Sequence, residues 1–368
     1  MSKNNSTIEK VKEVVSTLPD FAEDFFNNMQ LKGRSDKTVL QYAYDMSSFF
    51  TWLKDNKYKN IDIKKMTAHE LLDNLNAKDI QRFQLSAQTY KDNVNIKTSK
   101  YYQARRASSL RTFYTYFYTN KLIENSMSEF IEVTKIPDHE PVVLNEDMVK
   151  RMLEAVNDTS GMSTHQLGKY QKTQKRDYAI LKLFFSTGIR VSELCNIDVD
   201  DIDTYKYSKE TDLVRASIII TRKGGNEASI PIGEDTLSAL QDYIENGRER
   251  LFKETIKGKD GMLMGKPDDE PALFISLQRK RLSVRSVEQI ISNYASKAGI
   301  PIKCTPHTLR RTFATNLYNQ SSDIYLTSTA LGHKSVETTK KAYAKVAPEK
   351  LAQIVGYSKN LIDDKRKE

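Results

Sequence analysis

Apolar residues fall at helical spacing over most of this chain and alternate with polar ones in only one short stretch. Between residues 19 and 135 four amphipathic segments follow one another: FAEDFFNNM, TVLQYAYDMSSFFTWL, AKDIQRFQLSAQTY and YYQARRASSLRTFYTYFYTN. They predict a helical domain in which Leu110, Phe113 and Phe117 face inward from the last helix. Residues 1–18 are polar and predict a short helix or tail. Pro137 and Pro141 in KIPDHEPVVLNED mark a linker over 136–144, leading to a second domain over 145–350. There the apolar run Tyr178–Phe185 predicts a buried helix closed by Gly188, which suits the left-handed position after a helix, and a second helix begins near Arg190. The β-branched run Ile218–Thr221, a turn with Gly224 and Gly225, and a return through Ile230 and Ile232 predict a β-hairpin with Lys223 at its tip. Leu309, Phe313 and Leu317 form the core stripe of a further helix. The polar stretches Asn157–Lys175 and Lys253–Glu270 predict loops or insertions. Residues 351–368 carry Leu351, Ile354, Val355, Leu361 and Ile362, the pattern of a short amphipathic helix. The expected fold class is mainly α with a small antiparallel β-sheet.

Composition sharpens this picture modestly. The chain of 368 residues is long enough for two domains, and its net charge of +9 suggests a polyanionic partner, although many soluble proteins are mildly basic. Cys195 and Cys304 have neither metal nor redox spacing, which points to a reducing compartment, and Cys195 falls in a core pattern. No window of about 18 apolar residues occurs and the polar N-terminus does not read as a signal peptide, so the expectation is a cytoplasmic protein without a membrane partner.

Chemistry concentrates near the C-terminus, in TPHTLRRTFATNLY and LGHKSVETTKKAYAKV. Thr305 can cap a helix and Pro306 suits its first turn, because the N–H that proline lacks would have had no partner there. His307 and Arg310 then share one face, at a helix end whose backbone N–H groups favour an anion. Taken singly, these residues could equally be solvated side chains, Arg190 and Glu193 an ordinary i, i+3 pair, and Lys223 a turn residue.

Taken together, TGIRVSEL, the hairpin lysine of TRKGG, PHTLRRTFAT and LGHKSVETT stand in an order and spacing that resemble the tyrosine recombinase, or phage integrase, family over about residues 19–350. Within it the chain is most similar to Xer-type site-specific recombinases, especially the longer branch that works as a single recombinase. The resemblance implies an N-terminal helical core-binding domain and a C-terminal catalytic domain. It also implies that Tyr343 attacks a phosphodiester to give a 3′-phosphotyrosyl enzyme and a free 5′ hydroxyl, with no cofactor, ATP or metal. Arg190 and Arg310 would grip the non-bridging oxygens, His333 would donate to them, Lys223 would protonate the leaving oxygen, and His307 would assist. Arg105, Arg106 and Arg111 on the last N-terminal helix, with Lys37, would meet the DNA backbone. The implied partner is double-stranded DNA with inverted half-sites, bound by four protomers on two duplexes, and 351–368 would dock on the neighbouring protomer. The role would be chromosome-dimer resolution or the integration and excision of a mobile element.

Three departures stand out. His333 and Tyr343 are ten residues apart where nine is common in the family, so one residue loops out or the helix phase shifts by about 100°. Arg311 replaces a common histidine, and NEASIP replaces a more basic pattern after the hairpin turn. Rival readings are a type IB-like topoisomerase, a catalytically silent DNA-binding regulator on the same scaffold, and a metal-dependent nuclease using Asp198, Asp200, Asp201 and Asp203. For the last, a solvated loop is the simpler account of four acids so close together.

Overall fold

The computed structural model describes residues 2–86, 99–136, 142–206, 214–222, 225–253, 256–257, 263–264, 270–333 and 335–343. Two units divide the chain, Met1–His139 and Glu140–Glu368.

Among its described residues the first unit holds six α-helices: α1 (Ser2–Val15), α2 (Ala22–Leu31), α3 (Asp36–Asn56), α4 (Ala68–Leu72), α5 (Ala77–Ser86) and α6 (Lys100–Thr119). Serine caps start the two long ones, Ser35 accepting from the Thr38 N–H and Ser99 from the Tyr102 N–H. The core is aromatic: Phe25, Phe49, Phe50, Phe113 and Phe117 are buried, and Phe113 meets Phe25 and Phe50 edge-on at centroid distances of 5.1 and 5.8 Å. Residues 1–18, which read as a short helix or tail, hold α1. Val11 and Leu18 lie in this same core, because a few well-placed apolar side chains are enough to dock a polar helix.

The second unit begins inside the segment expected to be a linker: Leu144 is buried in its core and its N–H donates to Thr312 Oγ1 at 2.9 Å. α7 (Glu146–Glu154) leads to α8 (Thr164–Thr187) and α9 (Val191–Asn196). The strands β1 (Ile202–Lys206), β2 (Val214–Thr221) and β3 (Glu227–Ile232) form an antiparallel sheet in that order. In register, Ile218 pairs with both Ile202 and Ile230, and the last β2–β3 pair is Thr221 with Glu227. α10 (Glu234–Tyr243) continues through a π turn into α11 (Glu249–Lys253), and β4 (Ile256–Lys257) pairs with β5 (Leu263–Met264). Four helices follow: α12 (Val284–Lys297), α13 (Pro306–Ser321), α14 (Ile324–Leu331) and α15 (Val336–Tyr343). One hydrophobic cluster joins Ile180 and Phe184 of α8, Leu194 of α9, Ile218 and Ile220 of β2, Leu240 of α10, Ile291 of α12 and Leu309 of α13.

Two expectations are corrected here. The polar stretch Asn157–Lys175 is helical from Thr164 onward, opened by a capping box in which Ser163 and Gln166 satisfy each other's backbone N–H. Its polar residues are a solvated face with tied exceptions, such as Tyr170, whose hydroxyl donates to the Val156 carbonyl at 2.8 Å. The acids of IDVDDID do not form a plain loop either. Val199–Asp201 make a 3-10 turn, β1 begins at Ile202, and Asp198 is held by Arg281 at 2.5 Å. Most of Lys253–Glu270 and all of 351–368 lie outside the described residues.

Candidate active site

The site is assembled from the ends of two helices and the starts of three others. α8 closes on Gly188, in the left-handed conformation (φ 59°), and a Cβ there would come within 2.4 Å of the Phe313 ring. Glycine is therefore required twice, by the backbone angle and by the close approach of α13. The chain then extends through Arg190, which precedes α9. Glu193 binds it at both ends: the Arg190 N–H donates to Oε2 at 2.9 Å and Nη1 to Oε1 at 2.7 Å. Glu193 is 6% exposed and the Arg190 side chain 38%, so the acid anchors the base of a guanidinium that still reaches solvent. Arg190 Nη2 also donates to the Gly332 carbonyl at 3.3 Å.

α13 starts as its sequence predicts, with Thr305 capping the Thr308 N–H and Pro306 in the first turn. Arg310 on this helix is buried, 6% exposed, and donates to two carbonyls, Gly188 through Nη1 and Leu331 through Nη2, each at 2.6 Å. Both of these carbonyls are neutral, so these two hydrogen bonds fix the guanidinium without cancelling its charge. His307 is exposed one turn earlier, and partial burial together with Arg311 and Arg310 lowers its pKa from the usual histidine value. α14 ends on Gly332, also left-handed (φ 60°), and His333 follows with its N–H on the Ser328 carbonyl. Burial first, then the charges of Arg310 and Arg190, hold His333 down at about 4, so the ring is neutral at physiological pH. Its Nδ1 lies 2.8 Å from Thr339 Oγ1, and Thr339 is fully buried on α15.

Arg190, His307, Arg310 and His333 are thus brought together around Leu331–His333. Tyr343 is the last described residue of α15, four residues beyond Thr339. No residue is looped out between Val336 and Tyr343. Lys223 lies outside the described residues. Two neighbours of the site were not singled out in the sequence. Thr339 is one of two adjacent threonines in VETT, and only the helix phase and the fold select it. Arg222 stands beside the hairpin lysine, but its approach to Gly332 depends on a contact across 110 residues of chain.

The four cations expected to meet DNA in the first unit fall into two groups. Lys37, in the first turn of α3, and Arg111 of α6 are exposed. Arg105 and Arg106 are tied into the fold, against expectation. Arg105 Nη1 pairs with buried Asp45 at 2.5 Å. Arg106 is only 7% exposed, lies over the Phe83 ring at 4.5 Å and donates to Ser48 Oγ at 2.9 Å. The helix phase turns it inward, where a flat guanidinium can stack on an aromatic face.

Comparison with known proteins agrees with this architecture. Residues 142–350 match the model of the phage integrase family. Tyrosine recombinase XerC of Caldanaerobacter subterraneus subsp. tengcongensis is 30% identical over 349 residues, covering 92% of this chain and 86% of the relative. Tyrosine recombinase XerD of Vibrio cholerae is 27% identical over 348 residues, covering 94% and 97%. Among solved structures, XerH site-specific recombinase bound to difH substrate in a pre-cleavage complex superposes with a TM-score of 0.60 at 17% identity, over 88% of this chain and 80% of that one. A lambda integrase tetramer bound to a Holliday junction gives 0.55 at 15% identity, over 88% and 76%. The family match over the second unit and the curated relatives place the chain in the class of tyrosine recombinases. The chain belongs to the phage integrase family, as a tyrosine recombinase of Xer type. Its activity is site-specific recombination of DNA, and these relatives favour neither the topoisomerase nor the silent-regulator reading.

Proposed function

We propose that Tyr343 is the nucleophile and that Arg190, His307, Arg310 and His333 form the phosphate site at which it acts. The observation that carries this reading is the convergence of two guanidiniums and a neutral imidazole on the Leu331–His333 segment, with α15 tied to that imidazole through Thr339. As the Tyr343 Oη attacks phosphorus, charge builds on the non-bridging oxygens. Guanidiniums already fixed by backbone carbonyls stabilise it without reorganising. A Thr339 hydroxyl donating to His333 Nδ1 leaves the ring proton on Nε2, as a donor to phosphate. His307, kept neutral, takes the phenol proton. Lys223 returns one to the departing 5′ oxygen, so the P–O5′ bond breaks as the P–O(Tyr) bond forms. The phosphotyrosyl link preserves the bond energy, and attack by a 5′ hydroxyl reverses the step without ATP or metal. The DNA partner would carry inverted half-sites engaged by four protomers on two duplexes, with 351–368 passed to a neighbour. Lys37 and Arg111 would contact its backbone, with Arg105 secondary. Resolution of chromosome dimers and mobility of an element are both compatible roles.

The test is a nicked substrate whose short 5′ fragment diffuses away after cleavage, trapping the covalent adduct. Tyr343→Phe should bind this DNA as the unaltered protein does and form no adduct on a denaturing gel. An adduct that persists in Tyr343→Phe and disappears in Tyr357→Phe would reassign the nucleophile.

A further inference from the structure

Arg222 has been given no role so far, yet its guanidinium lies against the site. It follows the last β2–β3 pair, where its N–H donates to the Asn226 carbonyl at 2.8 Å and its carbonyl accepts from the Gly225 N–H at 3.1 Å. The base of the hairpin therefore fixes its backbone. Its side chain crosses to α14 and covers the Cα of Gly332: a Cβ built on Gly332 would fall 2.1 Å from Arg222 Nη1 and 2.2 Å from Cζ. Gly332 is the residue whose carbonyl receives Arg190, so two guanidiniums meet one residue, which only glycine leaves room for. Arg222 also acts electrostatically on His333, alongside Arg310 and Arg190.

The charges around it are unbalanced. Arg222 makes no ion pair among the described residues, and its buried Nε finds no hydrogen-bond acceptor there. Glu227 stands across the hairpin from Thr221, and Glu193 is committed to Arg190. A guanidinium held among like charges with a buried donor unused is arranged for an anion with several acceptor oxygens. We propose that Arg222 is a third guanidinium of the active site, gripping a DNA phosphate at or next to the bond that is cut. This rests on the phosphate site proposed above and adds a contact that the recombinase motifs do not include.

The test uses the full chain with Arg222→Ala and Arg222→Lys, each compared with the unaltered protein for helix content and melting temperature. Single-turnover cleavage of the trapping substrate should slow about 100-fold in Arg222→Ala and less in Arg222→Lys, which keeps the charge but loses the fork. Affinity is then measured in the Tyr343→Phe background, which blocks chemistry, on duplexes carrying one neutral methylphosphonate at the cleavage position or at either neighbour. If Arg222 touches one of these phosphates, neutralising it should cost at least about threefold less affinity once Arg222 is alanine. Cleavage within about threefold of normal in Arg222→Ala overturns the proposal, as do affinity losses that multiply independently at every position. Arg190→Ala serves as the control. If it too cleaves normally the phosphate site itself is misassigned, whereas loss in Arg190→Ala alone removes only Arg222.

Discussion

Thr339→Val deletes one hydroxyl and leaves the shape of the residue nearly unchanged, so it isolates the link between α15 and His333. Thr339 is fully buried and its Oγ1 lies 2.8 Å from His333 Nδ1. Valine has the same branching at Cβ, so the helix that ends at Tyr343 should persist. Losing the hydroxyl forfeits a hydrogen bond worth about 1 kcal/mol net and leaves a partly buried ring nitrogen unsatisfied, which costs about 1–3 kcal/mol. Some of that returns if the ring turns to find water. Turning is the functional damage, because it moves Nε2 away from the phosphate. Loss of a partner that orients a functional histidine typically lowers activity by about 10–100-fold. In the trapping assay Thr339→Val should therefore form adduct about 10–100-fold more slowly, with DNA affinity within about threefold of normal and a small fall in melting temperature. Thr339→Ser restores the hydroxyl without the methyl and should recover most of the rate. If Thr339→Val cleaves normally, or if Thr339→Ser is as slow as Thr339→Val, the hydroxyl has no orienting role and packing alone explains the residue.

Other outcomes follow from the same geometry. Arg310→Ala should slow cleavage at least about 100-fold, a few kcal/mol of transition-state stabilisation, and also lower the melting temperature, since the Gly188 and Leu331 carbonyls lose their donor. Equal losses in affinity and rate would mark it as a simple binding residue. Arg106→Ala should destabilise the first unit by about 1–3 kcal/mol in thermal melts through loss of the Phe83 stack and the Ser48 bond, with cleavage unchanged under stabilising conditions; Arg111→Ala should do the reverse, weakening DNA binding without moving the melt. The folded state holds the His333 pKa at about 4, below its ordinary value of 6.5, so the unfolded chain binds the proton first. Its contribution to stability is present above about pH 6.5 and is lost as pH falls through about 4. A His333→Gln variant should show a shallower decline over that window in chemical denaturation, and identical slopes would refute the assignment.

The helix ends around the site were legible because local chemistry dictates them. Gly188 closes α8 and Thr305 with Pro306 opens α13, each where its residue type predicts. Polarity misled where it was read alone. Asn157–Lys175 looked like a loop, although Ser163 and Gln166 already spell a capping box ahead of a helix. Arg105, Arg106 and Arg111 are alike in type, and only the packing of α6 decides that Arg106 stacks on Phe83 while Arg111 faces solvent. Arg222 and Thr339 could not be read at all, since each acquires meaning from a partner that another element delivers, Gly332 from α14 and His333 from the turn after it.

The manner in which the cations are held bears on what they do. A guanidinium braced by carboxylates is well placed but electrically spent. Here Arg190 is paired with Glu193, the neutral carbonyls of Gly188 and Leu331 brace Arg310, and Arg222 makes no ion pair among the described residues. Both histidines have lowered pKa values, so they add donors or acceptors rather than charge. The described cluster therefore has an excess of positive charge held in place before any ligand arrives. A phosphodiester brings one negative charge, and attack by a phenolate raises this to two at the five-coordinate stage. The interaction should thus strengthen as the reaction proceeds, which is the condition for accelerating the chemistry rather than merely binding the DNA. Burial first, and then this same excess of charge, keep His333 from taking a proton, so the cations that stabilise the growing charge also help to hold the imidazole neutral.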